Sequence, residues 1–234
     1  MPRSVILRPT PRCARCQFPP RWCVCAGFHA ITCPLAIDVL VHHRESFRPT
    51  STGRLINRVI PESRGHLYRH DLPLRREDIV RAGRELWILH PQGSPPPAIA
   101  KPENVQVLLL DGSWREAARM RTEVVSWGRT VNLPMTGESR YKLRDQQGAG
   151  LFSTIEALLF LLEHFSLGET QGQLRRQFEL HVYAGLRARG EKGAAENFLA
   201  ASPVRAAFPD LLAELDRRRP REETLARPAR DNVT

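Results

Sequence analysis

Four cysteines crowd into thirteen residues, in the run C-A-R-C-Q-F-P-P-R-W-C-V-C that contains Cys13, Cys16, Cys23 and Cys25. Four thiolates can surround one Zn²⁺ tetrahedrally, and the first pair has the two-residue spacing of a zinc knuckle. The Cys-x-Cys half is the less usual part. Residues 1–33 are rich in Cys, Pro and Arg and show neither a helical nor a strand period. They read as a small module folded around a metal rather than around a core. Whether that module contacts RNA or is only structural stays open. Cys33 lies outside the cluster and reads as a buried, inert thiol.

The second group of reactive residues is Leu110-Asp-Gly-Ser-Trp114. A carboxylate that closes an apolar strand is poised over a ligand crevice, so Asp111 could act as a general base. Gly112 would let the backbone approach a ligand. Spacing alone favours a plainer role, with Asp111 capping the following helix and Trp114 in the core. The third group is His42-His-Arg-Glu45, which reads as a substrate contact or proton relay, or as an ion pair with nearby arginines. Arg48-Pro-Thr-Ser-Thr-Gly-Arg54 follows. It suits a phosphate at a helix N-terminus, or an ordinary cap with solvated arginines. The last group, Ser139-Arg-Tyr-Lys-Leu-Arg144, interleaves Arg and Tyr as phosphate pairing and base stacking require, and as a solvated basic loop also allows.

The elements that must hold these residues alternate. Leu35–Val41, Leu86–Leu89, Val105–Leu110 and Arg129–Leu133 read as strands, the second closed by Pro91 and the last by Pro134. Helices are expected over 51–60, from the capping box Ser113-x-x-Glu116 to about Val125, from the box Ser153-x-x-Glu156 to about Phe165, and from about Gln171 to Arg187. Residues 93–97 and 136–150 read as loops. This order predicts an α/β domain with a mostly parallel sheet and its ligand beyond the C-terminal strand ends. No strand is followed by GxGxxG or a Walker A lysine, so ordinary dinucleotide and NTP sites lack support.

Bulk properties narrow the partners. The 234 residues carry a formal net charge of +10 and a sequence pI near 10.2. A polyanionic partner is expected, and nucleic acid fits best. The longest apolar stretch, Ala157 to Leu162, is bounded by Glu156 and Glu163 and cannot span a bilayer, so no membrane partner is expected. Met1 to Arg12 has no apolar signal core, which gives a cytoplasmic expectation, with reduced thiols free for metal.

Taken in series, these segments resemble the DTW-domain family. Its C-x2-C…C-x-C cluster corresponds to Cys13, Cys16, Cys23 and Cys25, and its H-x-x-E to His42 and Glu45. Its T-N-T-G-R-L run corresponds to Thr50–Leu55, its L-D-G-T-W-x-x-A-x-K-M core to Leu110–Met120, and its Y-x-L-R…S-T-x-E-A to Tyr141–Arg144 and Ser153–Ala157. The departures are Ser51 for Asn, Ser113 for Thr and Arg119 for Lys, all of which preserve donors or charge.

The resemblance implies a SPOUT-like fold with a trefoil knot and S-adenosyl-L-methionine (SAM) as co-substrate. It also implies transfer of the aminocarboxypropyl group to N3 of a tRNA uridine, with Asp111 as base. A SPOUT-type RNA methyltransferase and a non-catalytic zinc-binding RNA adaptor are the rivals. The SAM site is expected at His90, Pro91, Leu110, Gly112, Ser113, Trp114, Pro134, Tyr141, Arg144, Ser153, Thr154 and Glu156. RNA is expected at His42, Glu45, Thr52, Arg54 and Arg140. The expected organisation is a zinc module over 1–33, a catalytic domain over 34–216 and a disordered tail over 217–234.

Overall fold

The computed structural model describes residues 11–97, 100–144 and 150–217. The expected tail lies outside the described residues apart from Arg217, as does part of the expected loop over 136–150.

Five strands form one sheet in the order β2-β1-β4-β3-β5, and every neighbouring pair is parallel. They are β1 (Ala36–His42), β2 (Arg64–Tyr68), β3 (Glu85–Ser94), β4 (Val105–Asp111) and β5 (Arg129–Val131). The sequence concealed β2, R-G-H-L-Y, because it is an edge strand with only Tyr68 fully inside. An edge position leaves most of its side chains to solvent, so no apolar signature is needed. Strand β3 also outruns its expected end at Pro91. Its register against β5 jumps from Leu89 to Ser94 in a bulge. A proline in such a bulge needs no ladder partner for its missing N–H. Gly93 and Ser94 therefore belong to the strand, not to a loop.

Both faces of the sheet are covered, as parallel sheets require. Alternation along β4 divides the core. Val107 and Leu109 join the larger cluster with helices α1 (Thr52–Val59), α4 (Thr154–His164) and α5 (Gly168–Ala188). Leu108 and Leu110 join the smaller one with Tyr68, with Ile79 of the short helix α2 (Arg76–Ile79), and with α3 (Trp114–Val124). Three shorter helices, α6 (Lys192–Ala200), α7 (Val204–Ala207) and α8 (Pro209–Asp216), finish the helical side. The cysteine segment packs there as well: Phe18, Val24 and Ile31 are buried in the larger core. Its clamp on α5 is a pair of reciprocal bonds, His29 N–H to Gln177 at 2.9 Å and Gln177 to His29 C=O at 3.0 Å. The segment thus shares the main core instead of lacking one. Among the described residues no helix is long and apolar enough to cross a membrane.

The strand order fixes where a ligand sits. From β1 the chain moves outward to β2, while from β4 it crosses to β5 on the other side. The C-terminal ends of β1 and β4 therefore flank the switch point. Val41 pairs with Asp111 there.

Asp38, in the middle of β1, is fully buried. It accepts from Arg81 at 2.9 Å, Gln106 at 2.9 Å and His66 at 2.8 Å. Asp38→Ala would leave those partners without their acceptor. Unfolding in urea should show a loss of about 3 kcal/mol with an unchanged m-value. A loss below about 1 kcal/mol would mean that water substitutes freely for the carboxylate.

Candidate active site and candidate metal centre

Asp111 ends β4 at 4% exposure and accepts from three protein donors. Ser51 Oγ donates to Oδ2 at 2.7 Å, Gly53 N–H to Oδ1 at 3.2 Å, and Thr154 Oγ1 to Oδ1 at 2.7 Å. Ser51 is the N-cap of α1 and Thr154 opens α4, so two helix N-termini converge on one carboxylate. Their dipoles favour negative charge at that point. The capping role that spacing favoured for Asp111 is filled by Ser113, whose Oγ accepts from Glu116 N–H. Glu116 completes the box by accepting from Ser113 N–H at 2.8 Å.

Two glycines pack closely against side chains of the site. A Cβ on Gly112 would meet Glu116 Cβ at 3.0 Å and Met120 Cε at 3.3 Å. Gly112 thus serves the packing of α3 beneath it. The close approach occurs at Gly53, where a Cβ would lie 2.7 Å from Asp111 Cγ.

Beside Asp111 opens a cavity of about 500 Å³ at the ends of β3, β4 and β5. That size suits a drug-sized or nucleoside-sized ligand. Of the residues expected around SAM, His90, Pro91, Leu110, Gly112, Ser113, Trp114, Tyr141, Arg144, Ser153 and Thr154 all line it, as does Thr52, which was expected at RNA. Pro134 is not among the lining residues, although Leu133 and Met135 on either side are. Trp114 is 43% exposed, so it stands at the rim and not in the core. The apolar wall of Leu89, Leu109, Val131 and Ala157 was legible only as buried strand and helix, and Asn132 carried no signal.

Glu156 stands behind the wall. It accepts from Ser153 N–H at 2.8 Å, Arg140 N–H at 2.6 Å and Ser139 Oγ at 2.9 Å, and so fixes the 139–141 segment to α4. Tyr141, buried by that segment, donates to Thr50 C=O at 2.5 Å. Burial pushes its phenol above the ordinary range, against the pull of Arg144.

Several residues expected at RNA are internal. His42 is 7% exposed and faces Glu116 at 3.2 Å. Burial lowers its pKa, partly offset by Glu116. Glu45 is wholly buried and is held by Arg48 at 2.8 Å and by Arg144. Burial pushes its carboxyl up, and Arg144 pulls it down. Arg54 donates to Ser46 C=O. Arg140 donates to Glu179 at 3.0 Å and to the Phe198 and Ala201 carbonyls, each at 3.2 Å. Arg48 and Arg144 are the arginines that line the cavity.

At the other centre the ligand atoms of Cys13, Cys16, Cys23 and Cys25 all lie within 4.8 Å of one another. Cys13 and Cys25 sulfurs are 3.6 Å apart, and Cys16 and Cys23 sulfurs 3.7 Å. Four sulfurs at about 2.3 Å from a tetrahedral Zn²⁺ stand roughly 3.8 Å apart, so the set can hold such an ion. Cys33 is buried apart from the group. Arg58 of α1 was missed by sequence reading. Burial and then Arg54 lower its pKa, with Cys16, Cys25 and Cys13 acting in the opposite sense, and among the described residues its Nη1 has no hydrogen-bond partner. The neighbouring His181 is fully buried, and burial with Arg58 lowers its pKa to about 3.

Gly53→Ala should lower stability by about 1–3 kcal/mol through the clash with Asp111. Melting of Gly53→Ala, Asp111→Ala and the double variant forms a cycle, and strong non-additivity is expected. Simple addition would disconnect the two residues.

The DTW domain model matches residues 10–184, well over half of the chain. No solved structure gives a significant match. The matched span holds the four cysteines, Asp111 with its three donors and every lining residue of the cavity. The chain belongs to the DTW domain family, a family known for tRNA modification.

Proposed function

We propose that this protein is a tRNA-uridine aminocarboxypropyltransferase. It would move the 3-amino-3-carboxypropyl group of SAM to uridine N3 and release 5′-methylthioadenosine. The observation that carries the reading is Asp111, held at the switch point and opening onto a cavity of about 500 Å³. A SPOUT-like knotted arrangement of the β3, β5 and pre-α4 segments belongs to the same reading.

The donor set fits the co-substrate. The apolar wall of Leu89, Leu109 and Val131 suits an adenosine thioether, and Arg48 and Arg144 suit the carboxylate of the amino-acid arm. Bound SAM supplies an electrophilic Cγ beside a sulfonium leaving group. A carboxylate has about four acceptor positions. Asp111 spends three of them on Ser51, Gly53 and Thr154, and one on Oδ2 remains for an N–H of the substrate. In the transfer the N3–Cγ bond forms, the Cγ–S bond breaks, and the N3 proton passes toward Asp111. Orientation of the sulfonium decides between this product and a methyl group. Arg144, fixed by buried Glu45, is placed to set that orientation.

Mass spectrometry of nucleosides from tRNA incubated with enzyme and SAM should show aminocarboxypropyluridine and methylthioadenosine. A methylated nucleoside with S-adenosylhomocysteine would instead make the protein a methyltransferase. Asp111→Asn should lower the rate by roughly 10²–10⁴ while SAM still binds. Because the amide must turn its NH2 toward at least one of these donors, it should also cost about 1–3 kcal/mol of stability. A folded, fully active Asn variant would remove Asp111 from the chemistry.

Zn²⁺ is the ion that suits a four-cysteine set, and a zinc tetrathiolate carries a formal charge of about −2. Arg58, half-buried and with an Nη1 that has no hydrogen-bond partner among the described residues, supplies a counter-charge for such a centre. Elemental analysis should give about one zinc per chain. Cys33→Ser should leave that ratio unchanged. Arg58→Met should weaken zinc retention against a chelator by roughly 10–100-fold. A folded, metal-free wild-type preparation would refute the zinc assignment.

A further inference from the structure

Phe47 is the most exposed large apolar side chain among the described residues, at 86%. It belongs to the short segment between β1 and α1, which ends beside Asp111. The segment is built rigidly although its aromatic tip is bare. Buried Glu45 anchors it from within, through Arg48 and Arg144. Arg54 reaches back to the carbonyl of Ser46, next to Phe47. Backbone bonds from Arg48 N–H to Glu45 C=O at 3.0 Å and from Ser51 N–H to Arg48 C=O at 3.1 Å close the turns. A chain fixed this firmly could have folded Phe47 inward, yet it presents the ring to solvent.

The surroundings select the partner. Arg44 is 69% and Arg48 51% exposed at the side chain, and Arg48 also lines the cavity. The only acid of the segment, Glu45, is wholly buried and consumed by two arginines. The segment therefore turns an aromatic ring and two arginines outward, Arg44 lying 3.8 Å from Glu116. A protein partner's apolar patch would gain nothing from the arginines. An RNA loop matches both features, with a phosphate for Arg44 and a base for the ring.

We infer that Phe47 is the stacking platform for an unpaired base of the RNA substrate at the mouth of the cavity. This rests on the tRNA reading above but not on the group transferred. Stacking is blind to base identity, so Phe47 recognises that a base is free rather than which base it is. Duplex RNA, whose bases are stacked on each other, would not engage it. The ring would accordingly select single-stranded loops before any chemistry begins.

Equilibrium binding without SAM tests this on the full chain. The probes are an unmodified tRNA transcript and a blunt RNA duplex of equal length. Phe47→Ala should weaken tRNA binding about 5- to 100-fold and leave duplex binding and the salt slope unchanged. Phe47→Tyr should restore the loss. Arg44→Ala should reduce the log–log salt slope by about 1 for both RNAs, because it removes a charge and not a ring. Equal loss for both RNAs in Phe47→Ala, or no loss for either, would overturn the inference. So would unchanged tRNA affinity with a shift from dimer to monomer in sedimentation, which would make Phe47 a contact between copies. These readings need no product. Aminocarboxypropyluridine formed by a Phe47→Ala variant with intact affinity would retain the transferase and remove the platform.

Discussion

The carboxylate of Asp111 is the point at which three otherwise separate segments meet. Strand β4 delivers it, the first turn of α1 supplies Ser51 and Gly53, and the first residue of α4 supplies Thr154. A charge-assisted bond of this kind contributes about 1.5–3 kcal/mol, so the three together matter on the scale of a domain's net stability. They also determine shape. The cavity wall at the start of α4, Ser153, Thr154 and Ala157, is seated by Thr154. The segment bearing Glu45 and Arg48 runs directly into the α1 turn. A cavity at a switch point needs its covering elements held at the strand ends, and here one carboxylate holds two of them.

That arrangement explains which motif residues face a ligand and which do not. Ser51 and Gly53 serve Asp111 from behind, and Gly53 is small because the carboxylate occupies the space of its Cβ. Glu156, beside Thr154 in the same motif, never reaches the cavity. It fixes Ser139 and Arg140, and this places Tyr141. Glu45 likewise works through Arg144. The acids of these motifs are mostly internal acceptors, and the groups at the rim are arginines and aromatics. Spacing in a sequence shows only that polar residues recur. Whether each faces inward depends on tertiary partners dozens of residues away.

Legibility followed the same line. Strands β1 and β4 were readable because burial on both faces writes a continuous apolar run. The capping boxes of α3 and α4 were readable because their bonds are local, three residues apart. Strand β2 was not, since an edge strand writes no such run. The bulge that carries β3 past Pro91 was hidden because proline ordinarily stops a ladder. The ten lining residues expected around SAM were found through motifs, and the apolar wall was missed because cavity-lining and core leucines share one pattern. Arg58 could be found only with coordinates. Nothing in L-I-N-R-V distinguishes a half-buried arginine from a solvated one.

Arg58 also changes how the cysteine module relates to the cavity. It lies on α1, one and a half turns beyond the residues that hold Asp111. A single eight-residue helix thus has its N-terminus on the candidate catalytic carboxylate and its last turn on the cysteine segment, whose Ile31 N–H donates to Val59 C=O at 2.7 Å. Residues such as Leu55, Ile56 and Val59 bury its remaining face in the larger core. The helix cannot shift along its axis without disturbing one centre or the other. Packed interiors transmit such displacement and do not absorb it, since they hold few voids. Charge adds to the constraint. Arg58 is half-buried, and a filled tetrathiolate centre would offset its charge. Metal at the cysteines would therefore stabilise α1 at one end while Asp111 fixes it at the other. A metal centre outside the cavity can in this way belong to the structural support of the site without touching a substrate.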